Sequence, residues 1–376
     1  MLSNHYLPHV SGVSTSITRT MRNLEALGHS VELVVPDYPD YEEQNKKIHR
    51  VLSLPLKEPL IPLPFPGKKP IQKIVETFQP DIIHTHHPFL LGKIALKVAK
   101  RNNVPIVMTY HSMYEEYIHY VPFLPEGILK GFVIRNVKNF ANKLDAIVAP
   151  SESILKILHE RKLKPPVRVI PTGINPKYFV TSPATRLSTR KNWGVKEEDV
   201  VIISFARIAK EKNFNLLFQA FAQILKKVSV PLKLVLGGDG PAKPELEKLS
   251  QTLGIQKNTI FTGEIRHEDV PNFLAGGDIF AYSSTSETQG LVTLEALASG
   301  LPAVVVDAPG NRDAVLRDVC GLVSGTDLDS FSSALIQLIT KKDLRMKLAG
   351  NARKRAEEFS ESRMAEKMAE LYKSLL

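Results

Sequence analysis

The sequence holds one cysteine, Cys320, among 376 residues. That excludes an internal disulfide and fits a chain kept in a reducing cytoplasm. No four-ligand Cys/His spacing points to structural zinc. No apolar run approaches the roughly 18 residues that would mark a transmembrane helix. The opening decapeptide MLSNHYLPHV is polar, so no signal peptide is expected. The chain also lacks internal repeats, low-complexity tracts and a G-x-G-x-x-G fingerprint, which weakens any dinucleotide-binding reading.

What is present describes a globular protein. The length exceeds one ordinary core, so two domains are expected. Apolar residues make up 43% and charged residues 23%, a balance that supports packed cores. The net charge is +10, with 22 Lys and Arg against 15 Asp and Glu in residues 1–175, and 27 against 24 beyond. The excess therefore lies in the first half. Such a surface suits an anionic partner (nucleic acid, acidic lipid or a phosphorylated substrate) or serves solubility alone. Nucleic acid would call for clustered Lys/Arg on a recognition motif, and none is seen.

Strands and helices alternate. Residues 31–36, 81–86, 105–110 and 145–150 read as buried strands, with VIPTG (169–173) closing that half. Residues 200–207, 232–238, 259–263, 278–284 and 302–307 repeat the logic. Continuous apolar strands separated by amphipathic helices, such as 15–28, predict parallel sheets covered on both faces. The polar stretch 175–190 marks the boundary between domains 1–175 and 176–359. The Pro-rich residues 54–70 read as a loop. Only a stub, MLSN, precedes the first turn, so the first strand is short or the start is clipped.

Ligands of open parallel sheets bind beyond the carboxyl ends of the strands. Gly12 lies in the first strand–helix turn, where free amides can meet an anion, although a plain turn fits too. Arg207 ends a strand, with Lys210 and Lys212 close behind. Two such cations can converge on one diphosphate, or the three can line a solvated loop. Residues 262–266, around Ile265, stand where backbone groups could hold a flat base, or simply connect two elements. Asp239 is expected to be too exposed for a role.

The stretch SETQGLVTLEALASG (286–300) carries Glu287 and Glu295 eight positions apart. It reads as a turn and then a helix stopped at Gly300. The amides of Gly290, Leu291 and Val292 lie at the helix start and can hold a phosphate. Glu295 falls about 6–8 Å further along at ~1.5 Å per residue, the reach from a phosphate to a ribose. Glu287, in the turn, can accept hydroxyl hydrogens from a sugar beyond the phosphate. A capping Glu and a partly exposed Glu are the bland alternatives.

These residues resemble the family-4 retaining glycosyltransferases. The carrying motif is Glu-x7-Glu (Glu287, Glu295), with Arg207, Lys212, Gly12 and a His after a first-domain strand, His111 in TYHS. The resemblance spans nearly the whole chain. It implies the α/β GT-B architecture, two doubly wound Rossmann-like domains facing across a cleft. The first would bind the acceptor and the second the nucleotide sugar, with a C-terminal helix at about 360–376 crossing back to the first. By resemblance Arg207 and Lys212 hold the donor diphosphate, Glu295 the ribose and Glu287 the donor sugar. Gly12 admits the phosphates, and His111 meets the sugar near the reacting carbon. No cofactor and no metal are implied. Asp327-Leu-Asp329 matches the D-x-D of other glycosyltransferases but precedes a helix, where capping explains it better. HTHHP (84–88) lacks a third ligand of evident spacing.

For the acceptor, the aromatic-rich TYHSMYEEYIHYVPF (109–123) offers Tyr114, Tyr117 and His119. In EGILKGFVIRNVKNFANKLD (126–145), Ile128, Phe132, Val133, Val137 and Phe140 approximate one stripe flanked by Lys130, Arg135, Lys138 and Lys143. That is the layout of an interfacial helix on anionic lipid, or of a core helix with solvated lysines. These segments are similar to bacterial glycosyltransferases that glucosylate diacylglycerol. The implied donor is UDP-glucose, and the implied place is the cytoplasm, peripheral on the inner face of the membrane. Phosphatidylinositol or a soluble acceptor, or epimerisation of a UDP-sugar, are the alternatives.

Overall fold

A computed structural model describes residues 1–39, 41–54, 62–65, 67–116 and 126–376. The chain divides into two compact units, residues 1–173 with 361–376, and residues 174–360.

In the first unit, α1 (Gly12–Ala26) opens three residues earlier than its periodicity predicts, because Ser11 and Ser14 cap it reciprocally. β1 (Leu33–Pro36) pairs in parallel with β2 (Ile48–Val51). β3 (Ser53–Leu54) and β4 (Leu63–Pro64) form a short antiparallel ladder. The expected Pro-rich loop is thus part strand, and α2 (Lys68–Phe78) already begins within it. Proline is tolerated in both places, on a ladder of only two pairs and in a first helical turn. Residues 55–61 and 66 of that call lie outside the described residues. Then follow β5 (Ile83–Thr85), α3 (Leu91–Asn102), β6 (Ile106–Thr109), α4 (Glu126–Ala141), β7 (Ala146–Ala149), α5 (Glu152–Glu160) and β8 (Val167–Val169). β5, β6, β7 and β8 pair in parallel in that order. The opening stub forms isolated β-bridges rather than a strand. Leu2 bridges to Val34 on one side and Thr85 on the other. Leu2 N–H donates to His84 O at 2.9 Å, and Leu2 O accepts from His86 N–H at 2.9 Å.

The second unit contains α6 (Pro183–Asn192), β9 (Val200–Phe205), α7 (Phe214–Leu225), β10 (Leu232–Gly237), α8 (Lys243–Thr252), β11 (Thr259–Gly263) and α9 (Val270–Ala275). It continues with β12 (Ile279–Tyr282), α10 (Leu291–Ala298), β13 (Ala303–Val306), α11 (Pro309–Ala314), β14 (Gly321–Ser324), α12 (Leu328–Thr340) and α13 (Lys342–Glu357). Residues 175–190 are folded rather than a linker: Phe179 is buried in the core and Ser182 caps α6. The six strands run parallel in the order β11-β10-β9-β12-β13-β14. β9 and β12 are neighbours from which the chain winds outward in opposite directions. Their following loops therefore flank a topological switch point, the usual seat of a ligand in such sheets. Helix α7 shows why the layers hold. Phe214, Leu217, Phe218, Phe221 and Ile224 recur at helical spacing and are all buried, each contributing about 1.5–3 kcal/mol by leaving water.

The chain returns to the first unit in α14 (Glu361–Lys373). Its Met368, Ala369 and Leu371 join Ile17, Met21 and Leu24 of α1 in one apolar cluster. Glu361 pairs with Arg19 at 3.6 Å and with Arg22.

Candidate active site

The loop after β9 carries Arg207 and then a 3₁₀ turn, Lys210–Lys212, that ends on Asn213 in the left-handed region (φ 51°). The loop after β10 lies flat against it. Cβ atoms at Gly238 and Gly240 would fall 2.0 Å from Ala206 O and 2.4 Å from Ile208 O, and both residues have positive φ. Only glycine permits that approach. Ile208 N–H donates to Asp239 O at 2.8 Å, so the backbone, not the exposed Asp239 side chain, serves the site.

β12 delivers Tyr282 and then Ser283, Ser284, Ser286 and Glu287. Three donors converge on Oε1 of Glu287: Lys212 Nζ at 2.5 Å, Tyr282 Oη at 2.9 Å and Ser284 Oγ at 3.1 Å. Burial pushes this carboxyl up. The Lys212 ammonium and the hydrogen bonds from Lys212, Tyr282 and Ser284 outweigh it and hold the group below the usual carboxylate range. Burial, with Glu287 beside it, pushes the Tyr282 phenol far up, so it remains a donor. Ser283 Oγ donates to Asn213 O at 2.8 Å, tying the β12 loop to the β9 loop. Gly310 N–H donates to Glu287 O at 2.9 Å, and Asn311 Nδ2 to Ser284 O at 2.7 Å, bracing the turn from α11.

Gly290, at φ 75°, precedes α10 and places Leu291 and Val292 in its first turn. The first amides of a helix have no intrahelical acceptor and face the positive end of the dipole. Glu295 is only 6% exposed within α10. Ile265 lies over the end of β10, where a Cβ on Gly237 would meet its Cδ1 at 2.2 Å. The structure thus joins Lys212 to Glu287 directly. Arg207 instead pairs with Glu211 at 2.6 Å. Sequence reading missed Glu211, Tyr282 and Ser284. The i,i+4 spacing of Arg207 and Glu211, and hydroxyls at a strand end just before Glu287, were the available signals.

In the first unit, histidines gather at strand ends. His84 lies within β5, His86 and His87 follow it, and all three are buried; His111 follows β6. His86 Nδ1 and His111 Nε2 share a hydrogen bond at 2.9 Å. His84 Nε2 and Thr109 Oγ1 share another at 2.8 Å, and His84 Nδ1 meets Tyr372 Oη of α14 at 2.6 Å. The His84 ring stacks on His86 with centroids 4.5 Å apart. Burial lowers every one of these histidines, His5 to about 4 and His111 to about 3, so they are neutral at physiological pH. Gly12 is the first residue of α1, whose cap Ser11 shares a 3.1 Å hydrogen bond with His5 Nε2.

Among the described residues no group of three or more His, Cys, Asp or Glu could hold a metal ion. Asp327 caps α12, accepting from Ser330 N–H at 2.8 Å, as the capping reading of D-x-D requires.

Tyr114 packs edge-on against Phe89 and Tyr110. Behind it Arg161 donates to Glu115 and, at 2.6 Å, to Tyr110 Oη. Tyr117 and His119 lie outside the described residues. The apolar stripe of α4 is chiefly a core face, because Val137 and Phe140 are buried and Val133 packs on the same cluster. The side chain of Ile128 also lies outside the described residues. Phe132 is the exception, 64% exposed, and Lys130 and Arg135 are exposed as well while Lys138 is half-buried. No described helix is long and apolar enough to cross a membrane.

Two family models match: Glycosyltransferase Family 4 over residues 10–178 and Glycosyl transferases group 1 over residues 185–355. The chain is 33% identical to an alpha-monoglucosyldiacylglycerol synthase of Streptococcus pneumoniae, over 92% of this chain and 79% of that protein. It is 32% identical to the enzyme of the same name from Acholeplasma laidlawii, over 81% and 79%. In fold it is similar to Anabaena Alr3699/HepE in complex with UDP-glucose, with a TM-score of 0.79, 19% identity and 99% of each chain covered. The chain belongs to glycosyltransferase family 4 and is a hexosyltransferase of the GT-B fold.

Proposed function

We propose that this glycosyltransferase moves glucose from UDP-glucose to diacylglycerol, with retention at the anomeric carbon and without a metal ion. The observation that carries the reading is the Lys212–Glu287 pair at the switch point of the second unit. Breaking a sugar–phosphate bond leaves positive charge on the sugar and negative charge on the diphosphate. Lys212 donates to Glu287 and brings an ammonium whose charge and N–H groups suit phosphate oxygens. Arg207 and the first turn of α10 add fixed positive potential on the same leaving group. Gly12, at the start of α1, is the first unit's counterpart for the phosphates. Glu287 Oε1 is occupied by its three donors, which leaves Oε2 to accept sugar hydroxyl hydrogens. Glu295 accepts from the ribose hydroxyls, and Ile265 packs on the base. His111 meets the sugar. The departing phosphate oxygen takes the acceptor's hydroxyl proton on the same face, which needs no protein nucleophile and retains configuration.

The two diacylglycerol-glucosylating relatives support the sugar and the acceptor, and the UDP-glucose complex of a protein of like fold supports the donor. Exposed Phe132, Lys130 and Arg135 on α4 support a peripheral seat on anionic lipid at the inner face of the cell membrane. The test is a donor panel of UDP-glucose, UDP-galactose and GDP-mannose, with diacylglycerol in anionic vesicles and EDTA throughout. Products are read by mass and by anomeric coupling in NMR. Expected is an α-glucosyl lipid from UDP-glucose alone. Transfer only from GDP-mannose, or only to a soluble acceptor, overturns the reading.

A further inference from the structure

Three donors share Oε1 of Glu287, and they differ in how firmly they are held there. Lys212 Nζ, at 2.5 Å, sits on a flexible stem and carries the charge that a diphosphate draws toward itself. Ser284 Oγ, at 3.1 Å, is shared, since it also lies 3.4 Å from Glu211 O and 3.4 Å from Ser286 Oγ. Tyr282 Oη, at 2.9 Å, is the stiff one. Its side chain turns about only two bonds and is 1% exposed. The ring stacks on Phe280 with centroids 5.8 Å apart, and its backbone is fixed in β12 opposite Val305. Burial, and the Glu287 carboxylate beside it, keep the phenol protonated and neutral. An ammonium gains much from an arriving diphosphate, and a neutral hydroxyl gains less. When the leaving group binds, Lys212 is therefore the donor whose hold on Glu287 weakens, and Tyr282 is the one that stays.

We propose that Tyr282 is a positioning residue: its hydroxyl holds Oε1 of Glu287 in place while Lys212 turns toward the diphosphate, so that the carboxylate stays aimed at the donor sugar. The proposal rests on the reading that Glu287 accepts hydroxyl hydrogens of that sugar and that Lys212 meets the diphosphate.

Tyr282→Phe removes the hydroxyl and keeps the ring. In the full-length protein, transfer from UDP-glucose to diacylglycerol in anionic vesicles is measured together with inhibition by UDP, which has no sugar for Glu287 to hold. Expected is kcat/KM for UDP-glucose down about tenfold, the loss of one hydrogen bond to a charged group, with UDP inhibition within about twofold of wild type. The acid limb of kcat/KM against pH is expected to move upward, because the carboxylate loses a donor that favours its ionised form. Added to Glu287→Ala, which has no carboxylate left to hold, Tyr282→Phe is expected to change kcat/KM little further. Wild-type kcat/KM with an unmoved acid limb in Tyr282→Phe overturns the proposal. UDP inhibition weakened as much as kcat/KM, or a variant that does not fold, overturns it too, since Tyr282 would then support the loop as a whole. A further loss of similar size on top of Glu287→Ala shows that Tyr282 acts by another route. Wild-type kcat/KM in Glu287→Ala is a separate failure: it removes Glu287 from the sugar, and with it the reading on which the proposal stands.

Discussion

Lys212 and Glu287, 75 positions apart, meet at 2.5 Å with both side chains less than a fifth exposed. Neither is stable there alone. The pair is assembled because β9 and β12 are hydrogen-bonded neighbours whose loops end on the same edge.

Removing either member should therefore cost stability as well as activity. Glu287→Ala leaves an ammonium and a phenol without their acceptor, with an expected loss of about 3 kcal/mol. Transfer should fall about 100-fold or more. Lys212→Met has a pH signature. In the wild type Glu287 is held below its ordinary value, so its contribution is present above the unfolded value of about 4.3 and is lost as pH falls through the folded one. Without the ammonium, burial dominates and raises the carboxyl, so the contribution reverses and is lost as pH rises. The stability gap between the two proteins should narrow on acidification from pH 7 toward pH 4. Urea titrations across that range check it, and a gap that widens rules the electrostatic account out.

The neutral histidines predict a second pH dependence. Unfolded, each binds a proton near pH 6.5; folded, His5 and His111 do so only at about 4 and about 3. Between pH 6.5 and 5 the unfolded chain binds more protons, so stability falls as pH falls. Each histidine contributes at most about 1.4 kcal/mol per pH unit. Carboxylates titrate little in that window. His111→Gln should reduce the slope measurably, by denaturant unfolding at several pH values.

On α4 the basic residues should govern adsorption without touching the donor. Substituting Gln for Lys130, Arg135 and Lys138 together is expected to weaken binding to anionic vesicles by up to about 1 kcal/mol per charge. UDP-glucose hydrolysis should be unchanged. Co-sedimentation with vesicles of graded phosphatidylglycerol content measures it, and unaltered binding would remove this face from the membrane contact.

Much of the second unit was legible in the sequence because its strands are largely apolar runs, with Arg207, Lys212 and Glu287 following the carboxyl ends of two of them. Glu287, Arg207 and Lys212 stood out as charges in that setting. Tyr282 and Ser284 did not, since a tyrosine at the end of a buried strand looks like core until its hydroxyl is seen on a carboxylate. The histidine array was likewise hidden. Residues 5, 84, 86, 87 and 111 become neighbours only through the sheet order, which periodicity does not encode. The stripe on α4 misled for a related reason: helical spacing shows which residues share a face, not whether that face meets lipid or the strands behind it.

The return of α14 to the first unit has a consequence for synthesis. Met368, Ala369 and Leu371 complete the cluster that α1 begins, yet they leave the ribosome only after residues 174–360 have emerged. The amino-terminal half, although made first, must wait with one flank uncovered while the later half closes around its own strands. A nascent chain arrested before Glu361 would hold a complete second unit and an incomplete first one.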